Sequence, residues 1–125
     1  LEVRVMYNTN GINGFAQELV LRLLTTPEGR AAVTAFKERT TRDIALNIDY
    51  LRERGFLAEE FYHGTSPRGI FVIVNRGEQE LMEHYIGAVG LDFFTKTKQE
   101  YAKGFARICV SVPHEKLVKY FNAIQ

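Results

Sequence analysis

The chain has 125 residues, of which 46% are hydrophobic and 25% charged, and its net charge is +1. This length suits one domain with a single core, and this balance argues against a disordered or fibrous protein. No apolar run approaches the roughly 18 residues that a membrane span needs. The single cysteine, Cys109, excludes an intrachain disulfide and a multi-cysteine zinc site. We therefore expect a cytoplasmic protein that uses no membrane, metal or cofactor.

The charge is low for a dedicated nucleic-acid-binding domain, which usually carries a clear excess of lysine and arginine. The basic residues cluster in one short segment, with Glu100 among them: Lys96, Lys98, Lys103 and Arg107. A near-neutral monomer has little general affinity for phosphate. Any DNA-binding function therefore calls for a dimer or for docking to a partner.

The first forty residues predict a strand followed by two helices. Leu1–Tyr7 alternates apolar and polar residues, as a half-buried strand does. Asn13 is a suitable cap for a helix over residues 14–25 with an apolar stripe. Thr26 can cap a second helix, which begins with proline at its first position and runs over residues 27–39.

A third helix is predicted over residues 41–54. Ile44, Ile48 and Leu51 fall at i, i+4 and i+7, which places them on one helical face. Gly55 follows two arginines and tolerates the positive φ that ends many helices. Beyond it the period changes, and a β-hairpin is predicted from strands at 56–62 and 70–74 joined by a polar loop.

The order of elements in Thr40–Asn75 resembles the winged-helix branch of the helix-turn-helix superfamily. The resemblance is carried by a polar start, an aliphatic helix, Arg-Gly and an apolar pair: Thr40, Ile44, Ile48, Leu51, Arg54, Gly55, Phe56 and Leu57. It implies an α+β fold with a winged-helix-like core over residues 1–76, made of a strand, three helices and a hairpin wing. It also implies a non-enzymatic transcription regulator that binds double-stranded DNA.

The resemblance assigns DNA contacts to the third helix and to the wing tip. Thr41, Arg42 and Ala45 would face the major groove, where an arginine reads a guanine edge. The wing tip would bring Thr65, Ser66 and Arg68 against the backbone or the minor groove. Leu46 and Tyr50, also predicted to face outward, favour an alternative function as a protein-protein interaction module.

Residues 77–125 exceed a winged-helix core and predict a helix-helix-strand-helix extension within the same domain. The helices are expected over 78–89, 95–105 and 114–124, and the strand over 107–112 with Cys109 buried in it. This extension would serve dimerisation or partner docking. A rival architecture places strands 1–7, 70–74 and 107–112 in one sheet covered by helices, an α+β sandwich without a wing.

A third function rests on four residues, Tyr62-His63-Gly64-Thr65. The phrase is similar to the nicotinamide-ribose clamp of ADP-ribosyltransferases and RNA phosphotransferases. That similarity implies a small NAD-using enzyme in which Tyr62, His63 and Thr65 hold the substrate.

Overall fold

The structure is a computed structural model that describes residues 13–124, so the predicted strand at 1–7 lies outside the described residues. It combines helices with a small antiparallel sheet, which confirms the α+β class. The chain divides into two compact units, Leu1–Arg39 and Thr40–Gln125.

In the first unit, helix α1 covers Gly14–Thr25 as the capping pattern predicts. The Asn13 side chain accepts hydrogen bonds from the backbone N–H groups of Phe15 and Ala16, at 2.9 and 3.2 Å. The second predicted cap is confirmed as well. The Thr26 hydroxyl accepts a hydrogen bond from the N–H of Gly29 at 3.1 Å and opens the next helix.

Helix α2 is continuous over Pro27–Glu53. The predicted break near Thr40, which separated two of the three helices of a winged-helix core, is therefore wrong. From Arg30 onward the helix contains neither glycine nor proline. Thr40 and Thr41 are weak helix formers but not helix breakers, so the backbone ladder runs through them.

The second half of α2 packs into the second unit as its period predicts. Ile48 and Leu51 are buried, and Ile44 packs against the same core. Gly55 adopts φ +74° after the last turn. The N–H of Phe56 then donates to the carbonyl oxygen of Leu51 at 2.8 Å, which closes the helix end.

The sheet consists of β1 (Phe71–Val74), β2 (Ala88–Gly90) and β3 (Ala106–Cys109), and β3 lies in the centre. Both pairings are antiparallel. β1 and β3, which pair, lie on opposite sides of the boundary predicted after residue 76. The rival architecture, the α+β sandwich, placed the predicted strands 70–74 and 107–112 in one sheet, and the observed pairing agrees with that part of it.

The predicted wing is reduced to a single bridge between Leu57 and Val74. The N–H of Ala58 donates to the carbonyl oxygen of Ile73 at 3.0 Å, but the chain then turns into a 3₁₀ helix at Glu59–Phe61. The strand expected over 56–62 is therefore wrong. Its glutamates at 59 and 60 have low strand propensity and are exposed.

The C-terminal part contains shorter helices than predicted: α3 (Glu78–Glu83), α4 (Gln99–Ala102) and α5 (His114–Phe121), with a 3₁₀ helix at Leu91–Phe94. The helix expected over 78–89 ends early because the chain turns at Tyr85, whose φ is +63°. Residues 88–90 then form β2 against β3, where their backbone groups are satisfied by the ladder.

The core of the second unit lies between the inner face of the sheet, the end of α2, and α5. Val72, Val74 and Ile108 point inward, where they meet Leu117 and Phe121 of α5. The prediction that Cys109 is buried is wrong, since its side chain is exposed. Successive strand residues face opposite sides, so the burial of Ile108 turns residues 107 and 109 toward the outer face.

Candidate nucleic-acid interface

The outer face of the sheet carries an arginine among apolar side chains. Ile73, Arg107 and Val89 lie side by side across the three strands. Phe71, two residues before Ile73 on the same face of β1, is opposite Cys109, and both are exposed. A sheet face that keeps an aromatic ring 44% exposed is a surface on which a flat ligand can stack.

Arg107 lies against two aromatic rings. Its guanidinium carbon is 4.3 Å from the ring centroid of Phe71 and 5.1 Å from that of Phe94. Such contacts are worth about 0.5–1 kcal/mol each at exposed sites. Within residues 13–124, no carboxylate lies within ion-pair distance of Arg107. Its charge and donors are therefore held in a defined place and available to a ligand.

A second group of aromatic residues lies at the start of β3. Phe105 is half-buried between Phe61 and Tyr101, with ring centroids 5.1 Å apart in both pairs. The Phe105–Phe61 contact is edge-to-face, a favoured arrangement of two rings. Tyr101 is 59% exposed. The cluster thus holds one exposed ring against two better-packed ones.

A pocket of about 290 Å³ opens beside this cluster. It is lined by apolar side chains together with residues that carry hydroxyl groups and an amine: Phe61, Leu91, Phe94, Thr95, Thr97, Lys98, Tyr101 and Ala102. The hydroxyl of Thr95 accepts from the N–H of Thr97 at 3.2 Å, which fixes this part of the lining. Lys98 occupies the left-handed region with φ +55°. Phe94 lines the pocket and also contacts Arg107, so the two features form one continuous surface.

Lys103, the residue after α4, is paired with Glu100 at 2.9 Å. This hydrogen bond, together with the charge of Lys103, lowers the pKa of the Glu100 carboxyl, and it raises the pKa of Lys103. The pair therefore persists until pH falls through the lowered pKa of Glu100 or rises through the raised pKa of Lys103. Both groups are fully exposed, so the pair adds little to stability, but it offsets one positive charge.

The predicted DNA-contacting residues of α2, Thr41, Arg42 and Ala45, are exposed. Leu46, assigned to a protein contact, is 42% exposed. Tyr50, expected to lie exposed beside it, is half-buried; that expectation is wrong because its ring packs against the core and its hydroxyl donates to Asn122. The outward face of the helix is therefore smaller than predicted.

The predicted wing-tip residues Thr65, Ser66 and Arg68 are exposed in the segment that precedes β1. No hydrogen bond or ion pair in the described part of the chain links them to Thr41 or Arg42. In the Tyr62–Thr65 motif, the hydroxyl oxygen of Tyr62 accepts a hydrogen bond from the N–H of Ile73 at 2.9 Å. This contact assigns Tyr62 a structural part in holding β1.

Sequence reasoning identified the basic residues of the sheet surface but missed its aromatic ones. The signal was present in residues 93–107, where phenylalanine and tyrosine alternate with lysine and arginine. Interleaved basic and aromatic residues are typical of surfaces that bind single-stranded nucleic acid. The other rings, Phe61 and Phe71, come from distant segments that only the fold brings to this face.

Comparison of the chain with family models, with curated proteins and with solved structures gives no match. Among residues 13–124, no helix combines the length and apolar character required to cross a membrane. The same residues contain no group of three or more His, Cys, Asp or Glu side chains arranged to hold a metal ion.

Proposed function

We propose that this protein is a non-enzymatic nucleic-acid-binding protein and that it binds through the outer face of its sheet. The observation that carries the proposal is the position of Arg107, which lies against Phe71 and Phe94 without a carboxylate partner among the described residues. A guanidinium plane next to exposed rings suits the combination of flat bases and anionic phosphates that a nucleic acid presents.

The charges near this face favour nucleic acid over an apolar protein partner. Lys96 and Lys98 are exposed beside the pocket, and each can neutralise a phosphate and release counterions. The low net charge of +1 is compatible with this function because residues 91–107, which supply most of the rings, hold four lysine and arginine residues against Asp92 and Glu100. Stacking, rather than a general electrostatic attraction, would then supply much of the affinity.

The test is fluorescence anisotropy of labelled oligonucleotides of mixed sequence, single-stranded and duplex, at low and physiological salt. The Arg107→Ala variant is expected to bind about tenfold more weakly or worse, because a cation and a stacking surface are lost together. Arg42→Ala and Arg68→Ala are matched controls that remove exposed arginines elsewhere, and they should bind like wild type. Absence of binding to every oligonucleotide at low salt would refute the proposal.

The second candidate is a transcription regulator of the winged-helix kind that acts on double-stranded DNA as a dimer or with a partner. It is favoured by the exposure of Thr41, Arg42 and Ala45 on α2, and of Arg68 with its neighbours Thr65 and Ser66. In the same experiment this function would reverse the effects of the arginine variants. Duplex DNA would be preferred, and Arg42→Ala and Arg68→Ala would weaken binding whereas Arg107→Ala would not.

The exposure of Leu46 favours a protein contact on α2 as a further alternative. Such a contact would be apolar and would depend little on salt. Nucleic-acid binding, by contrast, weakens steeply as salt rises, because each neutralised phosphate releases counterions. The salt dependence of any interaction therefore separates the two.

A further inference from the structure

We infer that the pocket lined by Phe61, Phe94 and Tyr101 receives one unstacked nucleobase, so that the ligand of this protein is a single strand. This inference rests on the proposed function and specifies its ligand class. In a duplex the bases are stacked and paired, and their flat faces do not reach an aromatic side chain. A pocket of about 290 Å³ on the binding face, lined by aromatic residues, therefore favours single strands.

The pocket offers the flat apolar surfaces that a base needs. Its volume is about 290 Å³, and Phe61, Phe94 and Tyr101 supply aromatic rings on its walls. Phe105 contacts both Phe61 and Tyr101 and holds their rings in place. Because the rings are already ordered, a base that stacks on them immobilises few further side chains.

The lining also supplies the polar groups that a nucleotide needs. Lys98 lines the pocket together with Thr95 and Thr97, so an ammonium group and two hydroxyl groups are available to the sugar and phosphate of the inserted base. Lys98 adopts its left-handed backbone without being a glycine. Residues held in such conformations cluster at binding sites, where the surrounding structure maintains them.

Phe94 determines the path of the bound nucleic acid, because it belongs both to the pocket and to the surface around Arg107. Phe94 lines the pocket and lies 5.1 Å from the guanidinium carbon of Arg107. A nucleotide next to the one in the pocket would therefore meet Arg107 and Phe71. Two adjacent stacking positions with lysines at one end describe a short binding track for a few nucleotides.

The experiment measures anisotropy with a mixed-sequence single-stranded DNA, the RNA of the same sequence, the duplex, and a series of single strands with one abasic site each. Wild type should prefer the single strands to the duplex. One abasic position should cost about tenfold in affinity or more, the range measured for losing one base–aromatic stack. The DNA and RNA arms show which kind of single strand is bound.

The matched variants are Tyr101→Ala, which removes a pocket wall, and Tyr85→Ala, which removes a tyrosine that is 86% exposed elsewhere. Tyr101→Ala should bind the intact strand about tenfold more weakly than wild type does. Its affinity should not fall further on the strand whose abasic site weakens binding of wild type. Tyr85→Ala should bind like wild type. Circular dichroism checks the folding of each variant, and Phe94→Ala takes the place of Tyr101→Ala if the latter fails to fold.

Three results would overturn the inference. Equal binding of single strands and duplex, without any sensitive abasic position, refutes the pocket and leaves nucleic-acid binding intact. If the losses of binding free energy from Tyr101→Ala and from the abasic site add, the base does not contact this ring. No binding of any oligonucleotide removes the proposed function together with the inference.

Discussion

Asn47 is the polar residue at the centre of the second unit, and its replacement by alanine should destabilise that unit strongly. The side chain is fully buried. Its amide nitrogen donates to the carbonyl oxygens of Val110 and Val112, at 2.9 Å each. The amide oxygen is therefore left to accept from Nδ1 of His114, at 2.8 Å. One side chain thus connects α2 to the segment after β3 and to the start of α5.

The magnitude follows from the three hydrogen bonds that Asn47→Ala removes. Each is worth about 1 kcal/mol net, and leaving buried partners unsatisfied raises the cost. We therefore expect a loss of about 3 kcal/mol in the free energy of unfolding. For a unit of this size, 1 kcal/mol shifts Tm by about 4–8 °C, so the expected decrease is roughly 12–24 °C.

The assay is thermal and urea unfolding followed by circular dichroism and tyrosine fluorescence. Asn122→Ala is the matched control, since this exposed asparagine accepts hydrogen bonds from Tyr50 and Arg54 that water can replace. It should change stability by less than about 1 kcal/mol. If Asn47→Ala were also within about 1 kcal/mol of wild type, the buried hydrogen bonds would not be needed to join these elements, and the reasoning would be refuted.

Three further predictions concern the surface. Tyr85→Gly should stabilise the protein by about 0.5–1 kcal/mol in urea unfolding, because glycine adopts the observed φ of +63° without strain; a loss of stability would show that the exposed ring contributes packing. Cys109 should react with a thiol reagent such as Ellman's reagent in the folded protein as fast as in urea, since it is exposed; a protected thiol would contradict the outward orientation of residue 109. Glu100→Gln should strengthen single-strand binding and steepen its salt slope by about 0.7, because Lys103 loses the carboxylate that pairs with it; an unchanged slope would place Lys103 outside the interface.

Much of the secondary structure was predictable because its causes are local. The Asn13 and Thr26 caps mark the starts of α1 and α2, and their acceptor atoms lie within three residues of the donors that they satisfy. The apolar runs that contain β1 and β3 likewise indicate strands from composition alone. Breaks without a glycine or proline were harder to predict. The topological resemblance suggested a turn near Thr40, but no residue there prevents the helix from continuing.

The tertiary structure decided which side chains meet. The sequence by itself determined α1, the start of α2, the buried stripe in the second half of α2, and the strand character of β1 and β3. It did not determine that β3 lies between β1 and β2, and this pairing sets Arg107 between Ile73 and Val89. The candidate site depends on that register, because a slip by one residue would turn Arg107 into the core. Contacts such as Phe61 with Phe105 join residues far apart in the chain, and no local pattern specifies them.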